Sequence, residues 1–325
     1  LCLWILWFKG VIYQKINIDF VGDSMKFNLV QVVKDTETYY LIHDALRSLL
    51  YSLESLGHDV IVQKDRMSKE YVNIIALGER LTIQDIDKII ASRVPYIIYQ
   101  TEVFTDNGLN FQEGVEFLGI TKEFCMLRQE RYLKLCRNAI MIWECFDFNQ
   151  KYLQNIGIES HMIYHGYHPR LEGLPKKKNH DIDVCFFGSV TPYRIQVLQK
   201  LSKRKVNVSV LHFEPPLFRD DTLRRSKINL SIRANDTTMS HLPHFRVLTA
   251  LYHNTMTISE QARGQDWMKD MMEMVPIDDF VECVVSALAS KEYEEKAMIH
   301  KKELMRYPMT AFMEPLIPEL KGRFS

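Results

Sequence analysis

From Met25 onward the apolar positions fall into two alternating rhythms. The runs KFNLVQVV, HDVIVQK, YVNIIALG and PYIIYQTEVF are short, apolar and rich in β-branched residues, the pattern of buried strands. Between them, YYLIHDALRSLLYSLESLG repeats apolar residues three and four apart and closes on Gly57, while TIQDIDKIIASR opens at Thr82, a helix-capping side chain. Strand, helix and strand at this spacing predict parallel pairing with right-handed crossovers, a Rossmann-like sheet.

The rhythm continues through a helix, KEFCMLRQERYLKLC, and a strand, NAIMIWECF. A helix, DFNQKYLQNIGI, follows, with Asp147 or Asn149 as its expected cap, and SHMIYHGYHP brings the chain to another strand end. The basic, helix-breaking run RLEGLPKKKNHD interrupts the pattern and reads as a solvated linker. Alternation then restarts with the strand IDVCFFGSV, the helix YRIQVLQKLSKR, the strand VNVSVLHF, the short helix FRDDTLRRSK and the strand INLSI. A helix from Pro243 to His253, the strands TMTISE and MEMVPI, and a helix from Asp278 to Ser290 complete it. The expected fold is α/β, two Rossmann-like domains whose parallel sheets face each other across a cleft. The expected division is an upstream extension over 1–24, an acceptor domain over 25–170, a linker over 171–181 and a donor domain over 182–325. The extension begins LCLWILWF, an apolar run shorter than a bilayer requires and without the basic flank of a secretory signal, so no stable membrane span is expected.

Composition narrows the function. At 325 residues, 46% apolar and 25% charged, the chain suits two globular domains of roughly 150 residues each. Lys and Arg number 41, as do Asp and Glu, so no global field favours nucleic acid, and an anionic ligand must meet local basic residues. The six cysteines form no C-x-x-C pair, which argues against a zinc site or a disulfide framework and points to reduced thiols in the cytoplasm. His241, His244 and His253 lie near one another in sequence. No neighbouring acid completes a ligand set and Pro243 interrupts the turn, so neither metal nor cofactor is expected.

The strand ends carry the candidate chemistry. FFGS followed by TPYR places a small-residue turn, Gly188-Ser189, ahead of a helix amino terminus, where free N–H groups favour phosphate. Neither G-x-G-x-x-G nor G-x-x-x-x-G-K-[ST] occurs, which removes sequence support for dinucleotide oxidoreductases and P-loop NTPases. In RVLTALYHNTMTISE a helix headed by Arg246 feeds a strand that ends on Ser259 and Glu260, and carboxyl ends of strands are where α/β proteins hold ligands.

The run from FFGSVTPYR through KINLSI to FRVLTALYHNTMTISE resembles the donor half of GT-B glycosyltransferases, particularly the family-1-like and CgeB-like bacterial and viral proteins. WECFDFNQKYLQNIGIESHMIYHGYHP resembles the segment that ends their amino-terminal domain, so the likeness covers roughly residues 95–290. It implies transfer of a sugar from a UDP-, GDP- or ADP-sugar to a glycan or small-molecule hydroxyl. The diphosphate would be neutralised by basic side chains and helix dipoles instead of a metal. On this sequence that role falls to Arg246 and Arg194 with the Gly188-Ser189 turn, and the ribose to Glu260 beside Ser259. A base for the acceptor hydroxyl belongs on the first half, where Glu102 and His165 are candidates and His43 reads as structural. One departure stands out: the E-x7-E pattern of many retaining members has Tyr252 where an acid would precede Glu260. It leaves open a non-catalytic nucleotide- or sugar-binding protein and a GT-B-type sugar-nucleotide epimerase.

Overall fold

A computed structural model describes residues 24–34, 40, 42–111, 120–212, 214–234 and 241–324. The expected extension over 1–24 lies outside these except for Ser24, whose hydroxyl donates to the Gly57 carbonyl at 2.9 Å.

The first lobe is a six-stranded parallel sheet. Its strands are β1 (Lys26–Gln31), β2 (Asp59–Lys64), β3 (Val72–Ala76), β4 (Tyr96–Gln100), β5 (Met141–Glu144) and β6 (His161–Met162), in spatial order β2-β1-β3-β4-β5-β6. Helices α1 (His43–Ser55), α2 (Ile83–Ser92), α3 (Lys122–Cys136) and α4 (Asp147–Asn155) supply the crossovers. Every residue of β3, β4 and β5 is buried, as happens when helices cover both faces of a parallel sheet. Thr82 caps α2 as expected and forms a reciprocal capping box with Asp85. The start of α4 differs. Phe146 occupies the cap position with no side-chain cap, because Asn149 turns inward to accept from the Phe104 amide at 2.9 Å and to donate to the Glu102 carbonyl at 2.6 Å.

The second lobe is a five-stranded parallel sheet of β7 (Ile182–Phe187), β8 (Val208–Leu211), β9 (Ser226–Ser231), β10 (Met256–Glu260) and β11 (Glu273–Val275), in order β11-β10-β9-β7-β8. Around it lie α5 (Pro192–Lys203), α6 (Pro216–Arg225), α7 (His244–Tyr252), α8 (Ile277–Ser290) and α9 (Tyr293–Leu304). The two sheets are the expected pair of Rossmann-like units.

Two features depart from the expected division. The last helices, α10 (Met309–Met313) and α11 (Leu316–Gly322), return to the first lobe, where Met309, Met313, Leu316, Ile317 and Leu320 join the core built on β1 and β3–β5. The crossing is tight at Gly166, where a Cβ would lie 2.0 Å from the Tyr307 carbonyl oxygen. The lysine run, moreover, is docked against the second lobe. The Lys176 amine donates to the Leu223 carbonyl at 3.2 Å and to the Thr255 hydroxyl at 2.9 Å, and burial brings its pKa down to about 8. A long aliphatic stem buries readily when its amine meets carbonyl oxygens, which composition alone does not reveal. Among the described residues, Cys125, Cys136, Cys145, Cys185 and Cys283 are free thiols, and no helix is long and apolar enough to cross a membrane.

Candidate active site

The carboxyl ends of both sheets open onto one cleft with two adjoining cavities of about 370 and 220 Å³. Asp44, Ala45, Arg219, Phe245 and Thr249 line both. The larger cavity also has Gly188, Ser189, Arg194, Arg233, His241 and Arg246 in its wall, so four guanidinium groups converge on a single space.

Local backbone puts them there. After β7 the chain turns at Gly188 with φ +132, and a Cβ on that residue would sit 2.7 Å from a terminal guanidinium nitrogen of Arg246. Glycine therefore serves both the positive φ and the close approach. The turn leads through exposed Ser189 to Thr191, whose hydroxyl accepts from the Arg194 amide and starts α5. Arg246 emerges from the first turn of α7 and reaches the Gly188 turn.

The four arginines divide into two kinds. Arg219 pairs with Asp44 at 2.6 Å and with Asp220 at 2.7 Å, and Arg233 pairs with Glu260 at 2.5 Å. Arg194 and Arg246 meet no carboxylate among the described residues. Arg194 donates to the carbonyls of Ser189 at 2.8 Å and of Ile232 and Arg233 at 3.0 Å; Arg246 donates to those of Phe187 at 2.8 Å and Ile232 at 3.3 Å. Both stack on the Phe186 ring, at 5.2 and 4.8 Å from its centroid. Burial pushes Arg194 down to about 10, and burial together with the neighbouring Arg194 charge pushes Arg246 well below its ordinary value. His241, on the same wall, is brought down to about 4 by burial and then by these two cations. Two desolvated like charges facing one space favour an anion there.

The other expected residues lie elsewhere. Glu260 is 1% exposed and does not line the cavity: both carboxylate oxygens are engaged, by the Arg233 side chain and amide and by the Tyr193 hydroxyl. The cause is register, since β10 runs beside β9 and its last residue meets the arginine that follows β9. Ser259 is also buried, donating to the Glu260 carbonyl at 2.9 Å. Glu102 is half-buried behind Thr101, its carboxylate held by Asn110, and Thr101 is the residue that reaches the cavity. His165 lines the smaller cavity, bonded through Nε2 to the Tyr99 hydroxyl at 2.5 Å, and burial holds it well below its usual pKa. Tyr252, at the E-x7-E position, spans the lobes by accepting from the His168 amide at 2.9 Å and donating to the Gly166 carbonyl at 3.0 Å.

Sequence reasoning passed over Asp44, Arg219, Arg233 and Thr249. Asp44 projects from the first turn of α1 into the cleft, where Arg219 and the Thr249 hydroxyl, at 2.9 Å, grip it from the second lobe. Burial by itself would raise Asp44, yet Arg219 and the hydrogen bonds hold it well below the usual carboxylate range. Arg233 carried a signal like that of Glu260, a charged residue at or just past the end of a buried strand. Nothing local marks Asp44 or Arg219.

No family model matches the sequence, and no curated protein matches it. Solved structures do. An alpha-glucosyltransferase in complex with UDP and a 13-mer DNA superimposes with a TM-score of 0.59 at 8% identity, covering 91% of this chain and 100% of that one. TarM superimposes with 0.54 at 12% identity over 85% of this chain, which spans only 57% of TarM. A UDP-forming alpha,alpha-trehalose-phosphate synthase from Burkholderia xenovorans gives 0.51 at 9% identity, covering 88% of this chain and 78% of that one. The chain has the GT-B glycosyltransferase fold.

Proposed function

We propose that this GT-B chain binds a nucleotide-diphosphate sugar in the arginine-lined cavity and transfers the sugar to a hydroxyl of a glycan or small-molecule acceptor. The observation that carries the reading is the pair Arg194 and Arg246, buried on one aromatic ring beside the Gly188 turn with no carboxylate in contact with either among the described residues. Breaking the bond from sugar to diphosphate leaves negative charge on the departing phosphate oxygen. Two preorganised guanidinium groups next to a helix amino terminus stabilise that charge without a metal ion at the diphosphate. Among UDP-, GDP- and ADP-sugars the uridine donor is the first choice, because UDP figures in the names of the alpha-glucosyltransferase complex and the trehalose-phosphate synthase.

The acceptor belongs in the smaller cavity. Two expected bases serve as candidates for taking the acceptor proton: His165, which lines that cavity but is made a weak base by burial, and Glu102, which lies behind Thr101. Asp44 has its oxygens committed to Arg219 and Thr249 and serves as a clasp between the lobes. A non-catalytic nucleotide binder is the second reading, favoured by Tyr252 at the position where many retaining members carry an acid.

Donor hydrolysis separates the two. Incubated with UDP-glucose, GDP-mannose and ADP-glucose, an active transferase slowly releases nucleoside diphosphate above the protein-free rate, whereas a binder raises its melting temperature without release. At 100 times its dissociation constant a ligand stabilises by about 2.7 kcal/mol. Neither stabilisation nor release with any of the three nucleotides would remove both readings.

A further inference from the structure

His244, the first residue of α7, is 1% exposed, and its ring nitrogens have no well-formed hydrogen bond among the described residues beyond a loose approach to the Leu242 main chain. Nδ1 of His165, which is 2% exposed, is unpartnered, and the two rings stack with centroids 5.6 Å apart. A buried polar atom left unpaired costs roughly 1–3 kcal/mol, so poorly satisfied nitrogens on two facing rings need a physical account. Cys145, fully buried just after β5, is the third member of the group: one donor atom from each residue lies within 4.8 Å of the other two. The Tyr99 hydroxyl bonds both His165 and the Cys145 thiol, and Phe245 covers His165 and His244 with ring centroids at 4.6 and 4.1 Å.

We propose that Cys145, His165 and His244 form a zinc site that joins the two lobes. The donor set selects the ion. One thiolate and two imidazoles suit a borderline-soft cation such as zinc, whereas magnesium or calcium would require oxygen ligands. Zinc bonds of about 2.0–2.3 Å place neighbouring donor atoms roughly 3.3–3.7 Å apart, so the group closes on the ion by side-chain rotations of about 1 Å. Burial already holds both imidazoles neutral, His244 down to about 3, with lone pairs available. It also keeps the Cys145 thiol protonated, and on binding the S–H proton leaves to solvent as the zinc–sulfur bond forms. Three protein ligands leave a fourth position for water.

Two consequences follow for the cleft. His244 stands two residues ahead of Arg246, so an ion anchored to Cys145 and His165 of the first lobe would fix the start of the helix that presents Arg246. It would also leave Glu102 as the remaining candidate base for the acceptor hydroxyl. Metal binding is measured without nucleotide, so it stands or fails separately from sugar transfer.

The full chain, stripped with a chelator, exposed to Zn²⁺ and passed through gel filtration, is expected to retain a single zinc ion and to melt at a higher temperature than the stripped protein. Loaded with Co²⁺ as a probe, it should show a thiolate-to-cobalt charge-transfer band. Cys145→Ser should abolish the band and weaken zinc binding by more than the roughly 10–100-fold that loss of an outer-shell partner costs. Cys283→Ser, at a half-buried thiol outside the group, should change neither. His244→Gln provides a second ligand deletion if Cys145→Ser does not fold. Folded wild-type protein that retains no zinc overturns the proposal, as does zinc stoichiometry that survives unchanged in a folded ligand variant.

Discussion

Arg194 and Arg246 share one aromatic ring: their guanidinium carbons lie 5.2 and 4.8 Å from the centroid of Phe186, and main-chain carbonyls are the acceptors that hold them. Burial and the neighbouring Arg194 charge disfavour the charge on Arg246, an arrangement that an anion would relieve. Arg246→Met should therefore leave the melting temperature of the ligand-free protein unchanged or raise it, while UDP affinity falls by about 1.5–3 kcal/mol, roughly 10–150-fold. Uridine affinity should change far less. Calorimetric titration with UDP and uridine measures the difference, and equal losses for both ligands would take Arg246 away from the diphosphate.

Gly188→Ala probes the same contact from the backbone side. Its φ of +132 and the 2.7 Å approach to Arg246 mean that a methyl group must strain the turn or push the guanidinium aside. Destabilisation of about 1–3 kcal/mol is expected, together with weaker UDP binding, in denaturant melts and titrations run side by side. Lost stability with unaltered UDP affinity would mean that the turn does not set the position of Arg246.

The clasp between Asp44 and Arg219 should show itself in acid. The folded-state pKa of Asp44 is depressed, so its contribution is complete above the unfolded value near 3.9 and is lost as pH falls from there through the folded value. Asp44→Asn should lower stability at neutral pH and flatten the acid limb of the stability curve relative to wild type. Parallel curves for the two proteins below about pH 4 would show that the pair contributes nothing across the lobes.

Glu260 is expected to act through Arg233, because its oxygens are already filled. Glu260→Gln should weaken UDP binding in the wild-type background and have little further effect in Arg233→Ala, a coupling that a double-mutant cycle reads directly. A full loss that persists in the Arg233→Ala background would instead place the Glu260 carboxylate on the ribose, as the sequence suggested.

Trypsin should distinguish the lysines of the connecting run. Lys177 and Lys178 are exposed while the Lys176 amine is engaged by the second lobe, so the first cuts should fall after Lys177 or Lys178. The two fragments should then co-elute under native conditions, because residues 309–320 remain in the first lobe's core. Fragments that separate without denaturant would show two independent units divided at the linker.

What the sequence determined by itself was everything carried by local rhythm. The period of two against three to four laid out β1 to β11 and α1 to α8, and Thr82 marked a helix start that the structure keeps, because strand burial and helix capping depend on residues a few positions apart. Gly188, Arg194 and Arg246 were legible for a related reason: they sit at the carboxyl end of a buried strand or the start of the helix beside it, and strand direction sends those ends to the cleft. Tertiary structure alone decided what depends on partners distant in sequence. Asp44 meets Arg219 and Thr249 across more than 170 residues. Glu260 is taken by Arg233 because the two strands are neighbours, the Lys176 amine is engaged because the end of α6, the start of β9 and the residue before β10 offer it oxygens, and α10 and α11 cross back to a core begun at Met25. The grouping of Cys145, His165 and His244 belongs with these. A histidine's neighbours in sequence argued against a metal, but a ligand set is defined by distances in space, and those are fixed only when two lobes close on each other.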